Sequence, residues 1–330
     1  MFSRINSVFL CYGAWLVLAV PLTGCSTGGH EPAAADHPLV GQIWDVRQNE
    51  FVSPEALKAE AARAQHVLLG ETHINPEHHR IQGEIIQALT DEGGSFALVF
   101  EIFERDQQEA IDRVTARPGA SADDVAEATG IEDSGWDWDL YRPLVEAALS
   151  AGIPVLAGNA PRQEVRRIAY SGLDVIPAER LAELGLSRPL PRPAHEALAQ
   201  TIVDSHCGHV YGDMTERLVD AQRIRDATMA EVMLQAESGR SVLIAGGGHA
   251  RRDYGVPHYI QDRVPDAVVI AIGLMEVLPE HSRPEAYLDR LPGLGASFDY
   301  LWFTDRTMTE DPCEEFRESL EKLGTHGQER

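Results

Sequence analysis

Lysine is almost missing from this chain of 330 residues, with only Lys58 and Lys322 present. Neither follows a glycine-rich turn, which excludes a GxxxxGK(S/T) phosphate loop and a Schiff-base lysine. GxSxG and GxGxxG are absent as well, so the nucleophile elbow of α/β-hydrolases and the dinucleotide fingerprint are excluded. Positive charge in general is scarce: 28 Lys plus Arg face 52 Asp plus Glu, for a net charge of -24. Nucleic acid phosphates repel such a chain, and nucleic acid is not an expected partner. No uncharged apolar run approaches the ~20 residues a helix needs to cross a bilayer.

What the N-terminus does have is a short export pattern. Arg4 and the amine precede an uncharged, mostly apolar run from Val8 to Val20, which ends at Leu22-Thr23-Gly24-Cys25. These four residues resemble a bacterial lipobox, in which the cysteine is acylated and becomes the new N-terminus. We therefore expect residues 1–24 to be a signal peptide, Cys25 to carry lipid, and residues 25–40 to be a flexible Gly-, Ala- and Pro-rich tether. Ser26 after the cysteine resembles sorting to the outer membrane, on its periplasmic side. Cys207 and Cys313 would be the remaining thiols. An oxidising compartment allows them to pair, but sequence separation does not establish it. Because Cys207 sits in the cluster Asp204-Ser205-His206-Cys207-Gly208-His209, the expectation leans against a disulfide. That cluster lacks the spacing of a zinc site and reads as a loop shaping a pocket wall.

Residues 41–330 read as one α/β domain with a mostly parallel central sheet flanked by helices. Short apolar runs at His66–Leu69, Phe96–Phe100, Ile153–Ala157, Ser241–Ala245, Ala267–Ile272 and Tyr300–Phe303 suit strands buried on both faces. Helix signals alternate with them: Ser53-Pro54, Pro76 with Ile81, Ile85 and Leu89 on one face, and a long amphipathic stretch from Met214. Residues 177–203 carry helical spacing without a strand, which predicts a helical insertion or lid. Asp311-Pro312 opens an acidic C-terminal helix.

Polar residues gather just after the runs. The first is followed by Gly70-Glu71-Thr72-His73, the second by Glu101, the third by Gly158-Asn159-Ala160-Pro161-Arg162, the fourth by Gly246-Gly247-Gly248-His249. In a parallel sheet these all lie at the carboxyl edge, where such folds place ligands. The three glycines could present backbone N–H groups to an anion, or simply make a tight turn. Helical geometry turns His78 inward toward His73 and leaves His79 nearer the solvent edge. Gln222 and Asp226, one turn apart, either face the site or pair with each other.

The ordered motifs together resemble the ChaN-like lipoproteins of the Tiki superfamily. They are Gly70–His73 with His78, His79 and Gln82; Phe100-Glu101; Gly158–Arg162; His206-Cys207-Gly208; Ala221–Ala230; and Gly248–Arg251 running to Tyr254-Gly255-Val256-Pro257, with Asp311-Pro312-Cys313 as the tail. The resemblance implies a lipid-anchored haem-binding protein associated with iron uptake. Without CxxCH, covalent c-type attachment is excluded. Tyr254 would then be the axial ligand, His258 or His249 would contact iron or a propionate, and Arg251 and Arg252 would pair with the carboxylates. The superfamily's two GxxH motifs and two glutamates, here Glu71, His73, Glu101 and His249, imply the alternative, a hydrolase holding Zn, Mn or Fe. A metal-free fold whose Glu–His pairs are structural is the third reading. Implied partners are haem, the membrane through the N-terminal lipid, and, left open, a second copy of the chain.

Overall fold

A computed structural model describes residues 37–290, 297–307 and 313–314. The proposed signal peptide, Cys25, most of the tether and most of the acidic C-terminal helix lie outside the described residues. Among the described residues eight strands form one sheet: β1 (Ile43–Asp45), β2 (Glu50–Val52), β3 (His66–Glu71), β4 (Ala97–Glu104), β5 (Val155–Asn159), β6 (Ser241–Gly246), β7 (Val269–Glu276) and β8 (Tyr300–Thr304). Their order is β2-β1-β8-β7-β3-β6-β4-β5. From β8 to β5 every pairing is parallel, and β1 joins the edge antiparallel to both β8 and β2. All six expected strands are present; the antiparallel β1–β2 hairpin was not foreseen.

Alternation along each strand divides the core into two layers. Val67, Leu69, Val242, Ile244, Leu98 and Phe100 point to one face. There they meet Leu57 and Ala61 of helix Pro54–Arg63, and Ile81, Ile85 and Leu89 of helix Pro76–Asp91. Leu68, Leu243 and Val99 point to the other face, against Ile224, Ala227 and Ala230 of helix Asp213–Leu234. A side-chain period of two thus serves two helical layers at once, which explains why the strands read as unbroken apolar runs. Ser53 caps the first helix by accepting the Ala56 N–H (3.2 Å). Asn75 caps the second by accepting that of Glu77 (2.9 Å), ahead of Pro76 at its first turn.

The stretch expected as a helical insertion contains helices Ala178–Glu183 and Arg192–Ser205. The second helix stands over the carboxyl edge of the sheet and forms a wall there. Two residues beyond its end stands Cys207, a non-glycine residue with φ of 54°. Cys207 and Cys313 are joined by a disulfide, with Cα atoms 5.4 Å apart. The expectation that leaned against this bond is overturned: the turn after Ser205 brings Cys207 to the C-terminal segment. Among the described residues no helix is long and apolar enough to cross a membrane.

Candidate functional site

The chain reverses direction across the sheet at β3, β6 and β4. Strand β4 leaves a place beside β3, and β6 fills it much later in sequence. Three neighbouring strands therefore deliver Glu71, Gly246 and Glu101 to one edge, with Glu71 in register with Gly246. This is the crevice position that open α/β sheets use for ligands.

Glu71 collects three donors. Tyr141 O–H and His73 Nδ1–H (2.9 Å) both reach Oε1, and Gln82 Nε2–H reaches Oε2 (2.5 Å). His73 consequently keeps its Nε2 for the cleft, and its side chain is 40% exposed. Trp136 packs edge-on to that ring at 4.8 Å. Burial pushes the His73 imidazolium toward deprotonation, but the bond to Glu71 and the carboxylate of Glu101 outweigh it, so its pKa is raised.

The second GxxH motif builds a buried ionic cluster. His249 Nδ1 donates to Asp226 (2.5 Å), and Nε2 lies 3.2 Å from Glu101 Oε1. Burial opposes the cation, yet Glu101 and Asp226 raise the His249 pKa to about 9. Glu101 also takes the Arg225 guanidinium on Oε1 and the Gly246 N–H on Oε2 (2.7 Å). Although burial alone would raise it, Glu101 is held well below the usual carboxylate range by His249 and Arg225. At Asp226 burial wins and the carboxyl is raised, while the His249 imidazolium is stabilised by Glu101 as well as by Asp226. The glycine turn is committed to the same cluster: Gly246 N–H binds Glu101, and Gly247 N–H binds the Glu71 carbonyl (2.9 Å). A Cβ at Gly246 would stand 2.9 Å from His73 Cε1, so a side chain there would displace the imidazole.

These residues floor a cleft of about 420 Å³, walled by Leu198, Thr201, Ile202 and Ser205 of helix Arg192–Ser205. It continues into a neighbouring volume of about 400 Å³ against Leu274, Met275 and Phe298. Glu71, His73, Glu101 and His249 do meet, as their positions after separate strands predict. Among the described residues no three His, Cys, Asp or Glu side chains converge in an arrangement that would hold an ion. The physical reason is that Glu101 is saturated by cations and an N–H, while both nitrogens of His249 face carboxylates.

The haem-contact candidates are placed differently. Tyr254 is fully buried along the cleft wall, with its hydroxyl 3.2 Å from Thr201 Oγ1 and Arg251 over its ring. Burial raises its pKa to about 12, which disfavours a phenolate. His258 lies edge-on to Tyr259 and is not among the residues lining the cleft. Arg251 borders the wider part of the cleft but forks onto Asp253 (2.6 and 3.0 Å). Arg252 pairs with Asp299 (2.7 Å). Both arginines are thus already matched by carboxylates of the same chain.

His78 does not join His73. It accepts the Thr72 N–H (2.8 Å) and binds Thr304 Oγ1 (2.8 Å), and burial lowers its pKa to about 4. His79, expected near solvent, is buried and donates Nε2–H to the His73 carbonyl (2.9 Å). Gln222 and Asp226 both face His249. Of the cluster expected as a loop on the pocket wall, Asp204 and Ser205 line the cleft, as the last residues of helix Arg192–Ser205. Tyr141, Trp136 and Arg225 were missed as functional groups. The available signals were the pair of tryptophans in Trp136-Asp137-Trp138 and a charged residue three positions after Gln222 in a largely buried helix.

The turn that carries His249 makes a specific demand. Val256 N–H returns to the His249 carbonyl (2.8 Å) and Gly255 N–H to that of Arg251 (3.0 Å). A Cβ on Gly255 would overlap both carbonyl oxygens. Gly255→Ala is therefore expected to lower stability by about 1–3 kcal/mol, the usual scale of overpacking. Urea denaturation checks this, and an unchanged midpoint would mean that the turn relaxes freely.

Fold and site together define an α/β protein with a ligand cleft at its sheet switch point, floored by Glu–His pairs. The family model described as "Haem-binding uptake, Tiki superfamily, ChaN" matches residues 57–260, and the chain belongs to that family. Among solved structures it is similar to one described as cofacial haem binding to ChaN of Campylobacter jejuni. The identity is 20% and the TM-score 0.63, over 79% of this chain and 95% of that one. A Bacillus cereus protein gives 13% identity and a TM-score of 0.44 over 76% and 90% of the two chains. An erythromycin esterase gives 13% and 0.38 over 84% and 86%. These last two similarities are too low to inform the site. Comparison with curated protein sequences found no match.

Proposed function

We propose that this chain binds haem in the cleft above β3, β6 and β4, and that it does so as a lipid-anchored protein of the periplasmic face of the outer membrane, serving iron uptake. The observation that carries the reading is the accessible imidazole of His73 at the floor of a cleft with an apolar wall. Haem is a flat apolar ring with two carboxylates and an iron that takes nitrogen or oxygen ligands. Leu198, Ile202, Leu274, Met275 and Phe298 supply the apolar side. His73 supplies the nitrogen, and its Nδ1–H bond to Glu71 is the carboxylate–histidine arrangement that fixes a ligating tautomer and strengthens the donor. His73 takes this role in preference to Tyr254, whose oxygen is buried and bonded to Thr201, and to His249, whose two nitrogens are occupied.

Titration of the protein with haemin, followed by absorption, tests the reading. The parent should give a saturable Soret shift. His73→Ala should weaken binding by about tenfold or more, the scale of a lost ligand supported by its carboxylate, whereas Tyr254→Phe should leave the spectrum unchanged. Acid has a definite sign here. The raised pKa of His73 means that Nε2 takes up a proton already above the ordinary histidine value, so affinity falls as pH drops through that region. A parent spectrum unmoved by haemin would sink the proposal. For the anchor, Cys25→Ala should leave an unprocessed or soluble form, and a cleaved variant that still fractionates with membranes would refute lipidation.

A further inference from the structure

Arg225 borders two cavities. On one side is the cleft above; on the other is a separate chamber of about 210 Å³ between the Trp136 indole and the start of helix Arg162–Ser171. Arg162 and Arg166 stand one helical turn apart on that helix and line the chamber with Arg225. Glu104 is the acidic residue lining it. Glu104 lies 3.3 Å from Arg162 Nε and also accepts the Arg162 backbone N–H (2.7 Å). Arg225 is committed to Glu101, and its Nε donates to Asn159 Oδ1 (3.1 Å). Arg166 has no carboxylate partner among the described residues.

Three guanidinium groups therefore meet two carboxylates, Glu104 inside and Glu101 behind, leaving one cation unmatched. In a chain of net charge -24 this surplus is local. Screening over about 8 Å lets it act on a bound group despite the acidic surroundings. Guanidinium forks match planar oxyanions, and the chamber has room for several heavy atoms, a water filling about 30 Å³.

We infer that this chamber binds a carboxylate group, with Arg166 as its main contact, Arg162 as the second and Trp136 as a flat wall. The carboxylate has two sources: an acidic arm of a ligand lying in the adjoining cleft, which rests on the haem reading, or a free dicarboxylate. Calorimetry with succinate, using the full chain, tests the chamber itself. The parent should bind it, and Arg166→Ala should weaken binding by about tenfold or more, the scale of a charged hydrogen bond. Arg167→Ala removes the same charge from the same helix outside the chamber and should behave like the parent.

Haemin and its dimethyl ester then separate the sources. If the arm belongs to haem, Arg166→Ala weakens haemin and leaves the ester unaffected. If haemin is indifferent to Arg166→Ala while succinate affinity falls, the chamber serves a free dicarboxylate. Succinate binding without haemin binding to the parent would retain the chamber and remove the haem reading. Equal losses in Arg166→Ala and Arg167→Ala, or no effect of Arg166→Ala on either probe, overturns the inference.

Discussion

Glutamine at position 101 is expected to cost about 3–5 kcal/mol of folding stability near neutral pH, because it takes the charge partner from the buried His249 cation and the partly buried Arg225. Glu101 is 2% exposed and holds Arg225, protonated His249 and the Gly246 N–H at once. Glutamine nearly preserves the shape, so the loss reports charge and not a cavity. The pH dependence carries the sharper signature. Glu101 is depressed when folded, so its contribution is present above the unfolded carboxylate value of about 4.3 and lost as pH falls through the lower folded value. His249 is raised to about 9 when folded. Its contribution is complete below the unfolded value of about 6.5 and disappears as pH rises through its folded pKa. The parent should therefore gain most from the cluster between roughly pH 4.3 and 6.5. Urea midpoints measured across pH should flatten at both ends in Glu101→Gln, although Asp226 still faces the imidazole. Parallel curves for the two proteins would show that His249 is neutral in the folded state.

Loss of the Cys207–Cys313 bond is the second large effect, expected at about 2–5 kcal/mol. The two residues are 106 positions apart, so the bond closes a long loop in the unfolded chain. It also ties down the turn after helix Arg192–Ser205, the wall of the cleft. Reductant should lower the urea midpoint of the parent and leave that of Cys207→Ser, already low, where it is. A parent insensitive to reductant would exclude a stabilising bond.

The parts of the fold that were legible in the sequence follow from burial. Strands β3, β4, β6 and β7 are covered on both faces, so their apolar runs are continuous and easily read. The hairpin β1–β2 has three-residue strands, with Glu50 and Phe51 exposed, and leaves no such run. Glu71, His73, Glu101 and His249 were legible because strand ends in a parallel sheet share an edge, whatever the strand order. Their partners were not. Tyr141 reads as an apolar-face residue of helix Trp138–Ser150, and only the packing of that helix against Pro76–Asp91 sets its hydroxyl on Glu71. The partner of Arg252 was hidden for a related reason, since Asp253 sits beside Arg251 in sequence but Asp299, which pairs with Arg252, is 47 residues away. His79 looked peripheral on its own helix because the aromatic that covers it, Tyr141, comes from another.

The position of β6 has a consequence for how the molecule is made. Strands β3 and β4 are close in sequence, yet neither pairs with the other; each lies against β6, which is synthesised about 140 residues after β4. Until residues 241–246 emerge, the strand edges bearing Glu71 and Glu101 have no common neighbour, and Gly246 cannot bind the Glu101 carboxylate. Long-range parallel pairing of this kind is slow to nucleate and exposes strand edges meanwhile. The cleft is therefore a late product of chain growth, and a nascent chain ending before β6 carries both glutamates without the site.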